Sequence, residues 1–367
     1  MRKKTKIIPI FIPHQGCPND CIFCNQKKIT GKGKYLDINE IANDIKEFLS
    51  TIDTEKYEVE IAFFGGSFTA IDIELQKSIL EIAFSYKNRK LVDRIRLSTR
   101  PDAIDKQILD MLESYGVDII ELGVQSLDND VLYKINRGHT TEDTVEASRL
   151  IKERGLVLGH QVMPGVYGSS SLKDIETAKK SIEMKPDIVR IYPALTIKDT
   201  KMEELFKEGS YNPPSLDESV NLVSYIYSLY EMARIKIIRV GLQTTENINY
   251  DSDISGGPFH PSYRQLVLTN IMTSSLVWML KDCELDELTV ECDKTTINSF
   301  SGIKGMGKKV LIDKLALASI KFKEGTEENM VLLKFNDMEV TVEIKKFFDF
   351  FIKTYEEPGY VFEGNNN

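Results

Sequence analysis

Cys17, Cys21 and Cys24 stand within eight positions of one another, spaced C-x3-C-x2-C in Pro13-His14-Gln15-Gly16-Cys17-Pro18-Asn19-Asp20-Cys21-Ile22-Phe23-Cys24-Asn25-Gln26. No fourth cysteine is near. A closed structural zinc site uses four protein ligands, and a cubane iron–sulfur cluster wants four thiolates, one per iron. Three thiolates on a cubane leave one iron open to a substrate or cofactor, so the spacing points to chemistry more than to stapling. Tetrahedral zinc held by the three cysteines and His14 is the alternative metal reading. Disulfides fit poorly: the chain has five cysteines, and Cys283 and Cys292 lie far away with no pairing pattern, as ordinary thiols. A lipidation site at Gly16-Cys17 fails too, because the preceding apolar run is short and carries Pro9 and Pro13.

The elements that would position these thiols follow from the hydrophobic pattern. Short apolar runs alternate with amphipathic stretches, the βα order of a parallel sheet. Strands are expected at 7–12, 59–64, 94–98, 118–124, 156–163 and 187–192, with a further apolar run at 236–240. Helices are expected at 37–52, 73–84, 103–115, 141–154, 172–184, 216–234 and 263–280. The unusual residues all follow strands. The cysteines follow the first, Gly65-Gly66-Ser67 the second and Thr99-Arg100-Pro101-Asp102 the third. Gln125-Ser126 follows the fourth, Met163-Pro164-Gly165 the fifth and Tyr192-Pro193 the sixth. In an α/β barrel the carboxyl ends of the strands build the active site. The expected fold is therefore α/β: a partial (β/α) TIM-like barrel followed by a small α/β C-terminal unit. The expected domains are a barrel over 1–245, a connecting loop and helix over 246–284, and the small unit over 285–367.

A length of 367 residues fits one barrel with an extension, and 42% hydrophobic with 28% charged residues is ordinary for a globular chain. No apolar stretch approaches the roughly 20 residues that span a bilayer. A cytoplasmic protein with no membrane partner is expected. The net charge of −9 argues against a strong overall field for nucleic acid, though not against a local basic patch.

With three cysteines on the first loop of such a barrel, an aromatic Phe23 before the third, and Gly65-Gly66-Ser67-Phe68-Thr69 after the second strand, the chain resembles the radical S-adenosylmethionine (SAM) superfamily. That resemblance implies a [4Fe–4S] cluster on Cys17, Cys21 and Cys24 whose open iron chelates SAM. It also implies an external one-electron donor and cleavage to a 5′-deoxyadenosyl radical that abstracts hydrogen from the substrate. Within the superfamily, the chain is similar to the radical SAM domain of the Elongator catalytic subunit. The matching segments are Ser98-Thr99-Arg100-Pro101-Asp102, Glu121-Leu122-Gly123-Val124-Gln125-Ser126, Asn136-Arg137-Gly138-His139-Thr140, His160-Gln161-Val162-Met163-Pro164-Gly165 and Lys185-Pro186-Asp187-Ile188-Val189-Arg190-Ile191-Tyr192-Pro193. By this likeness Phe23, Gly65, Gly66, Ser67, Thr99, Arg100, Gln125 and Arg137 face the cofactor, and Met163 lines its adenine. Tyr192 would relay a hydrogen atom or contact the substrate. A structural Glu121–Arg137 salt bridge and a packed barrel tyrosine are the plainer alternatives. The first two cysteines are closer together here than in that subunit, and no glycine-rich coenzyme A signature follows the barrel. The likeness therefore supports the radical-generating half, with transfer RNA as one expected substrate and a small molecule as another.

The last third carries strands at 288–291, 318–322 and 331–335, with helices at 295–300 and 308–316 around Gly302-Ile303-Lys304-Gly305. This order resembles a KH-like RNA-binding unit, with Gly302 and Gly305 admitting the nucleic-acid backbone and Lys304, Lys308 and Lys309 supplying charge. His260, Tyr263 and Arg264, after Gly256-Gly257-Pro258-Phe259, form a polar cluster placed to touch substrate. A surface loop ordered by its own packing is the other reading. The rival to an enzyme is a metal-stabilised RNA-binding or scaffold protein without catalysis.

Overall fold

The structure, a computed structural model, describes residues 4–12, 19–25, 37–242, 253–325 and 327–356. These divide into two compact units, one of the described residues up to Pro213 with 253–257 and one of residues 214–242 with the described residues from Pro258 to Glu356.

In the first unit six strands run in sequence order: β1 (Lys4–Ile12), β2 (Tyr57–Gly65), β3 (Arg94–Thr99), β4 (Ile119–Gln125), β5 (Val157–Val162) and β6 (Ile188–Ile191). Every neighbouring pair among them is parallel. Strand alternation sorts the side chains. Ile8, Ile10, Ile61, Phe63, Leu97 and Leu122 face the covering helices and share one core with Ile45, Ile79, Leu109 and Ile151. Those helices begin on side-chain caps that supply the missing backbone acceptors: Asp37, Asp72, Asp105, Thr140 and Ser170.

The opposite face of the sheet is unexpectedly ionic. Glu60 (β2) accepts from Arg96 (β3) at 2.6 Å, and Arg96 also reaches Glu121 (β4) at 3.1 Å. Both carboxylate oxygens of Glu121 engage Arg190 on β6. All four side chains are buried. Glu121 reaches past β5 because Gly159 lies between; a Cβ there would come within 2.8 Å of the Glu121 Cγ. Arg190 also stacks 5.2 Å from the ring centroid of Phe64 on β2. Three strands separate β2 from β6 in the sheet order, so this contact records the curl of a partial barrel.

The structure adds elements that the sequence analysis leaves unassigned. Short helices cover Asn129–Lys134 and Lys201–Lys207. Residues 254–256, inside the expected loop, form β9 (Ile254–Gly256) against β7 (Thr196–Ile197).

The second unit holds helix Leu216–Met232, β8 (Lys236–Val240) and helix Tyr263–Leu280. Its four-stranded sheet runs β11-β10-β12-β13, from Ser319–Glu324 (β11), Glu287–Cys292 (β10), Met330–Phe335 (β12) and Met338–Glu343 (β13). β10 and β11 are parallel, and the other pairs antiparallel. Helices Lys294–Ser301 and Met306–Leu315 lie between β10 and β11 in the chain. β13 and the closing helix Ile344–Glu356 have no counterpart among the expected elements. Phe347, Phe348 and Phe351 of that helix are buried, at helical spacing.

Candidate functional site

The cysteine loop is tied to the segment after β4. Ile22 N–H donates to the Ile135 carbonyl at 3.1 Å, and Asn136 Nδ2 donates to the Asp20 carbonyl at 2.9 Å. The Asn19 side chain lies against Gly138, where a Cβ would fall 1.8 Å from Asn19 Nδ2. From the other side, Met202 N–H donates to the Ile22 carbonyl at 2.9 Å and Asn25 Nδ2 to the Lys198 carbonyl at 3.0 Å. Ile22 and Phe23 pack, with Met163, on an apolar cluster of Val131, Leu132, Ile135, Val166 and Met202. Cys24 N–H donates to the Cys21 carbonyl at 3.0 Å, so the two sulfur-bearing residues sit on one tight turn. The Cys21 side chain is buried. Cys17 lies outside the described residues.

Arg137 meets this turn. Its Nη1 lies 3.5 Å from Cys21 Sγ and its Nη2 donates to the Gly123 carbonyl at 2.9 Å. The Glu121–Arg137 salt bridge, the plainer alternative for these two residues, is absent from the described residues. Glu121 is committed to Arg96 and Arg190 instead. Arg100 is buried, chelates Asp102 through two bonds of 2.9 Å, and donates to the Arg137 carbonyl at 2.8 Å. His139 is buried beside these cations. Burial, then Arg137 and Arg100, pull its pKa down to about 3, so its ring stays neutral.

The carboxyl ends of β2 and β3 are knitted together by hydroxyls. Thr99 Oγ1 lies 2.9 Å from Ser67 Oγ and 2.6 Å from Thr69 Oγ1, and Ser67 Oγ accepts from the Arg100 N–H at 3.0 Å. Gly65 has φ +101°, and a Cβ there would stand 2.6 Å from the Ile12 carbonyl oxygen, which accepts from Gly66 N–H at 2.9 Å. Glycine thus lets the end of β2 close against the end of β1. Gln125 takes a left-handed φ of +63° where β4 slips register against β5. Its carbonyl accepts from Met163 N–H at 2.8 Å and its Oε1 from Gln161 Nε2 at 3.3 Å. Such strain in a non-glycine residue collects at functional sites. Tyr192 is half-buried, and its hydroxyl accepts from Arg190 Nη1 at 3.1 Å.

The remaining sequence candidates belong to the second unit. Tyr263 is core: its hydroxyl lies 2.6 Å from Ser219 Oγ, and burial pushes its pKa well above the usual tyrosine range. His260 Nδ1 accepts from Ser262 N–H at 3.0 Å, and Arg264 Nη2 donates to the Tyr227 hydroxyl at 3.4 Å. Gly302, Lys304 and Gly305 form a left-handed turn before helix Met306–Leu315, with Lys304, Lys308 and Lys309 exposed.

The sequence profile of the Radical SAM superfamily matches residues 11–180, and that of the Radical SAM C-terminal domain matches residues 186–273. The chain belongs to the radical SAM superfamily. This radical SAM chain is 33% identical over 233 residues to an uncharacterized protein of Methanocaldococcus jannaschii, covering 60% of itself and 71% of that protein. It is 32% identical over 203 residues to the tRNA uridine(34) acetyltransferase of the same organism, covering 50% of itself and 38% of that protein. It therefore spans well under half of that relative's length. Its fold matches the archaeal Methanocaldococcus infernus Elp3, solved with an N-terminal deletion, at a TM-score of 0.59 and 23% identity, covering 75% and 64% of the two chains. The superfamily implies SAM and a [4Fe–4S] cluster. The residues present fit such a group. Two thiols share one turn, and a buried guanidinium at the Cys21 sulfur has no carboxylate partner among the described residues.

Sequence reasoning missed Glu60, Arg96 and Arg190. Their signal is a charged residue at an inward position of an apolar strand, as in Val-Glu-Ile-Ala-Phe over 59–63 and Ile-Val-Arg-Ile over 188–191. It also missed Asn136, whose side chain fastens the cysteine loop.

Proposed function

We propose that this chain is a SAM-cleaving radical enzyme acting on RNA, with Cys17, Cys21 and Cys24 holding the cluster. The observation that supports it most is the fastening of the cysteine loop beside the carboxyl end of β4, through Ile135, Asn136 and Arg137. When bound, the cluster supplies the electron that breaks the SAM sulfonium. An external donor provides that electron. The chain's own residues bind and orient. Gly65 and Gly66 leave the end of β2 without side-chain bulk, so backbone groups can approach the methionine part of SAM. Ser67, Thr99 and Arg100 hold that end rigid, and Gln125 offers an amide beside it. Met163, packed with Phe23, presents a soft apolar contact to a purine face. Tyr192, its hydroxyl oxygen held by Arg190, offers its proton side to substrate.

RNA is the favoured substrate class because a tRNA uridine(34) acetyltransferase is among the relatives and because Lys304 of the Gly302–Gly305 turn and Lys308 and Lys309 of the helix after it are exposed. The cytoplasm is the corresponding location. No helix among the described residues is long and apolar enough to cross a membrane. The acetyl transfer in the relative's name is not carried over. Anaerobic reconstitution should give about four irons per chain and, with dithionite and SAM, 5′-deoxyadenosine. Cys21→Ala should lose both. A colourless protein holding one zinc would replace this reading with a metal-stabilised binding module. Addition of host RNA should raise deoxyadenosine release above the uncoupled rate if RNA is the substrate.

A further inference from the structure

Strand alternation places an aromatic pair on the concave side of the curled sheet. Ile8, Ile10 and Ile12 of β1 lie in the helix-covered core, so Phe11 faces the other way. Its register partner on β2 is Phe64, with ring centroids 6.3 Å apart. Phe64 is the ring that Arg190 reaches from β6, which fixes both aromatics on the inner side of the curl. Phe11 is 38% exposed and Phe64 is half-buried, so both keep accessible ring surface.

Two polar side chains share that inner side. The Tyr192 hydroxyl oxygen accepts from Arg190 Nη1 at 3.1 Å, which turns its proton away from the arginine. Gln161, in register with Arg190, donates through Nε2 to Gln125 Oε1 at 3.3 Å, which leaves its own Oε1 as an acceptor. Both residues are half-buried. The charges beside them cancel. Glu60 and Glu121 face Arg96 and Arg190 in one buried network, two carboxylates against two guanidiniums. A carboxylate or phosphate brought in here would lose its hydration and find both cations already paired. Aromatic surface with one donor and one acceptor suits a planar, uncharged group instead.

We infer that Phe11 and Phe64 form the seat of the substrate's reacting group, an uncharged planar ring that stacks on Phe11 while Tyr192 and Gln161 hydrogen-bond to its edge. The inference deepens the function proposed above and rests on it. For an RNA substrate the ring is a base, which must leave its own stack to enter the barrel. Stacking on an aromatic side chain then stands in for the neighbours it has lost.

The test uses the full-length chain reconstituted anaerobically with iron and sulfide. Iron content is read first, then deoxyadenosine release with SAM, dithionite and total host transfer RNA. Protein that takes up no four-iron cluster overturns the radical reading above, and release that ignores the RNA overturns the RNA reading; the seat falls with either. Where the RNA raises release, its half-saturating concentration is compared across variants at equal iron content. Phe11→Leu keeps apolar bulk without the ring and should raise that concentration about tenfold, within the range of one base–aromatic stack. Phe11→Tyr keeps the ring and should stay much closer to wild type. Equal values for wild type and Phe11→Leu overturn the seat while the radical reading stands. If Phe11→Leu takes up no iron, wild-type protein is irradiated with ultraviolet light in the presence of the same RNA, and its peptides are mapped by mass spectrometry. A nucleotide adduct at Phe11 or Phe64 is expected, and adducts confined to other residues, or none, overturn the proposal.

Discussion

Glu121 grips Arg190 with both carboxylate oxygens across the intervening strand β5, inside the curl of the sheet. Burial works against the charge on Arg190, and Glu121 more than offsets it, holding the guanidinium above the usual arginine range. Among the described residues, Glu121→Ala leaves Arg190 with no carboxylate and Arg96 with Glu60 alone. A buried ion left without its partner costs about 3–5 kcal/mol. The double change Glu121→Ala with Arg190→Met should recover part of that loss, because an apolar replacement of both partners carries no uncompensated charge. Urea titration of the three proteins checks this. A Glu121→Ala protein within about 1 kcal/mol of wild type would sink it, since that is the scale of an exposed pair.

Acid should weaken the fold through two histidines. His160 is buried between Ser148 Oγ at 2.9 Å and Ser181 Oγ at 2.8 Å, and burial pulls its pKa to about 3; His139 is pulled equally low. Their folded values lie below the unfolded one, so their contribution is whole above pH 6.5. It is lost as pH falls from 6.5 toward 3, where the unfolded chain binds protons that the folded one refuses. Asp174 acts in the opposite sense. Burial raises its pKa to about 6, so the folded state binds its proton first and gains stability as pH falls from 6 toward 3.8. Two protons against one leave a net loss of about 1.4 kcal/mol per pH unit between roughly pH 6 and 4 from these three groups. His160→Gln should remove one proton from that balance, so the difference between the two unfolding curves should grow by this amount per pH unit. Parallel stability–pH curves for wild type and variant, in chelator-treated protein, would contradict the assignment.

Gly123→Ala separates the position of Arg137 from its presence. The new methyl would meet Arg137 Nη2 at 2.8 Å and Gln125 Nε2 at 3.0 Å, both ends of flexible side chains. The fold can yield there cheaply, but the guanidinium must leave its place at Cys21. A lost hydrogen bond to a charged group is worth about 1.5–3 kcal/mol. Deoxyadenosine formation should therefore fall at least about tenfold while iron content and urea midpoint stay near wild type. Unchanged turnover would mean that the arginine's aim does not matter.

How much of this was legible in advance depends on the range of the force involved. Helix Tyr263–Leu280 and strand β8 lie where apolar periodicity places them, and the strand ends that gather Cys21, Gly65, Thr99 and Gln125 follow from the βα order. The periodic signal is local. The ion network is not: Glu60, Arg96, Glu121 and Arg190 come from four strands, and nothing in one strand says which charge another will meet. Tyr263 illustrates the same limit. Its Tyr-Arg neighbourhood reads as a polar loop, yet its ring is buried beneath Gly241 and its hydroxyl is satisfied by Ser219. Helix Ile344–Glu356 was different, because Phe347, Phe348 and Phe351 already show helical spacing. There the pattern was present and went unread.

The lysine-bearing turn of the second unit gives a test of the RNA reading that does not depend on the cluster. Lys304, Lys308 and Lys309 are exposed around a left-handed glycine turn, and helix Met306–Leu315 has no acidic residue in its first turn. If the three lysines neutralise phosphates of a single strand, each releases about 0.7 of a counterion. The slope of log affinity against log salt should then fall by about 2 in the triple variant Lys304→Gln, Lys308→Gln, Lys309→Gln. All three side chains are solvated, so stability should change by less than about 0.5 kcal/mol. Filter binding of a transfer RNA transcript over a salt series reads the slope. An unaltered slope would remove this turn from any nucleic-acid interface, and the chain's acidic balance would then argue for a substrate recognised elsewhere.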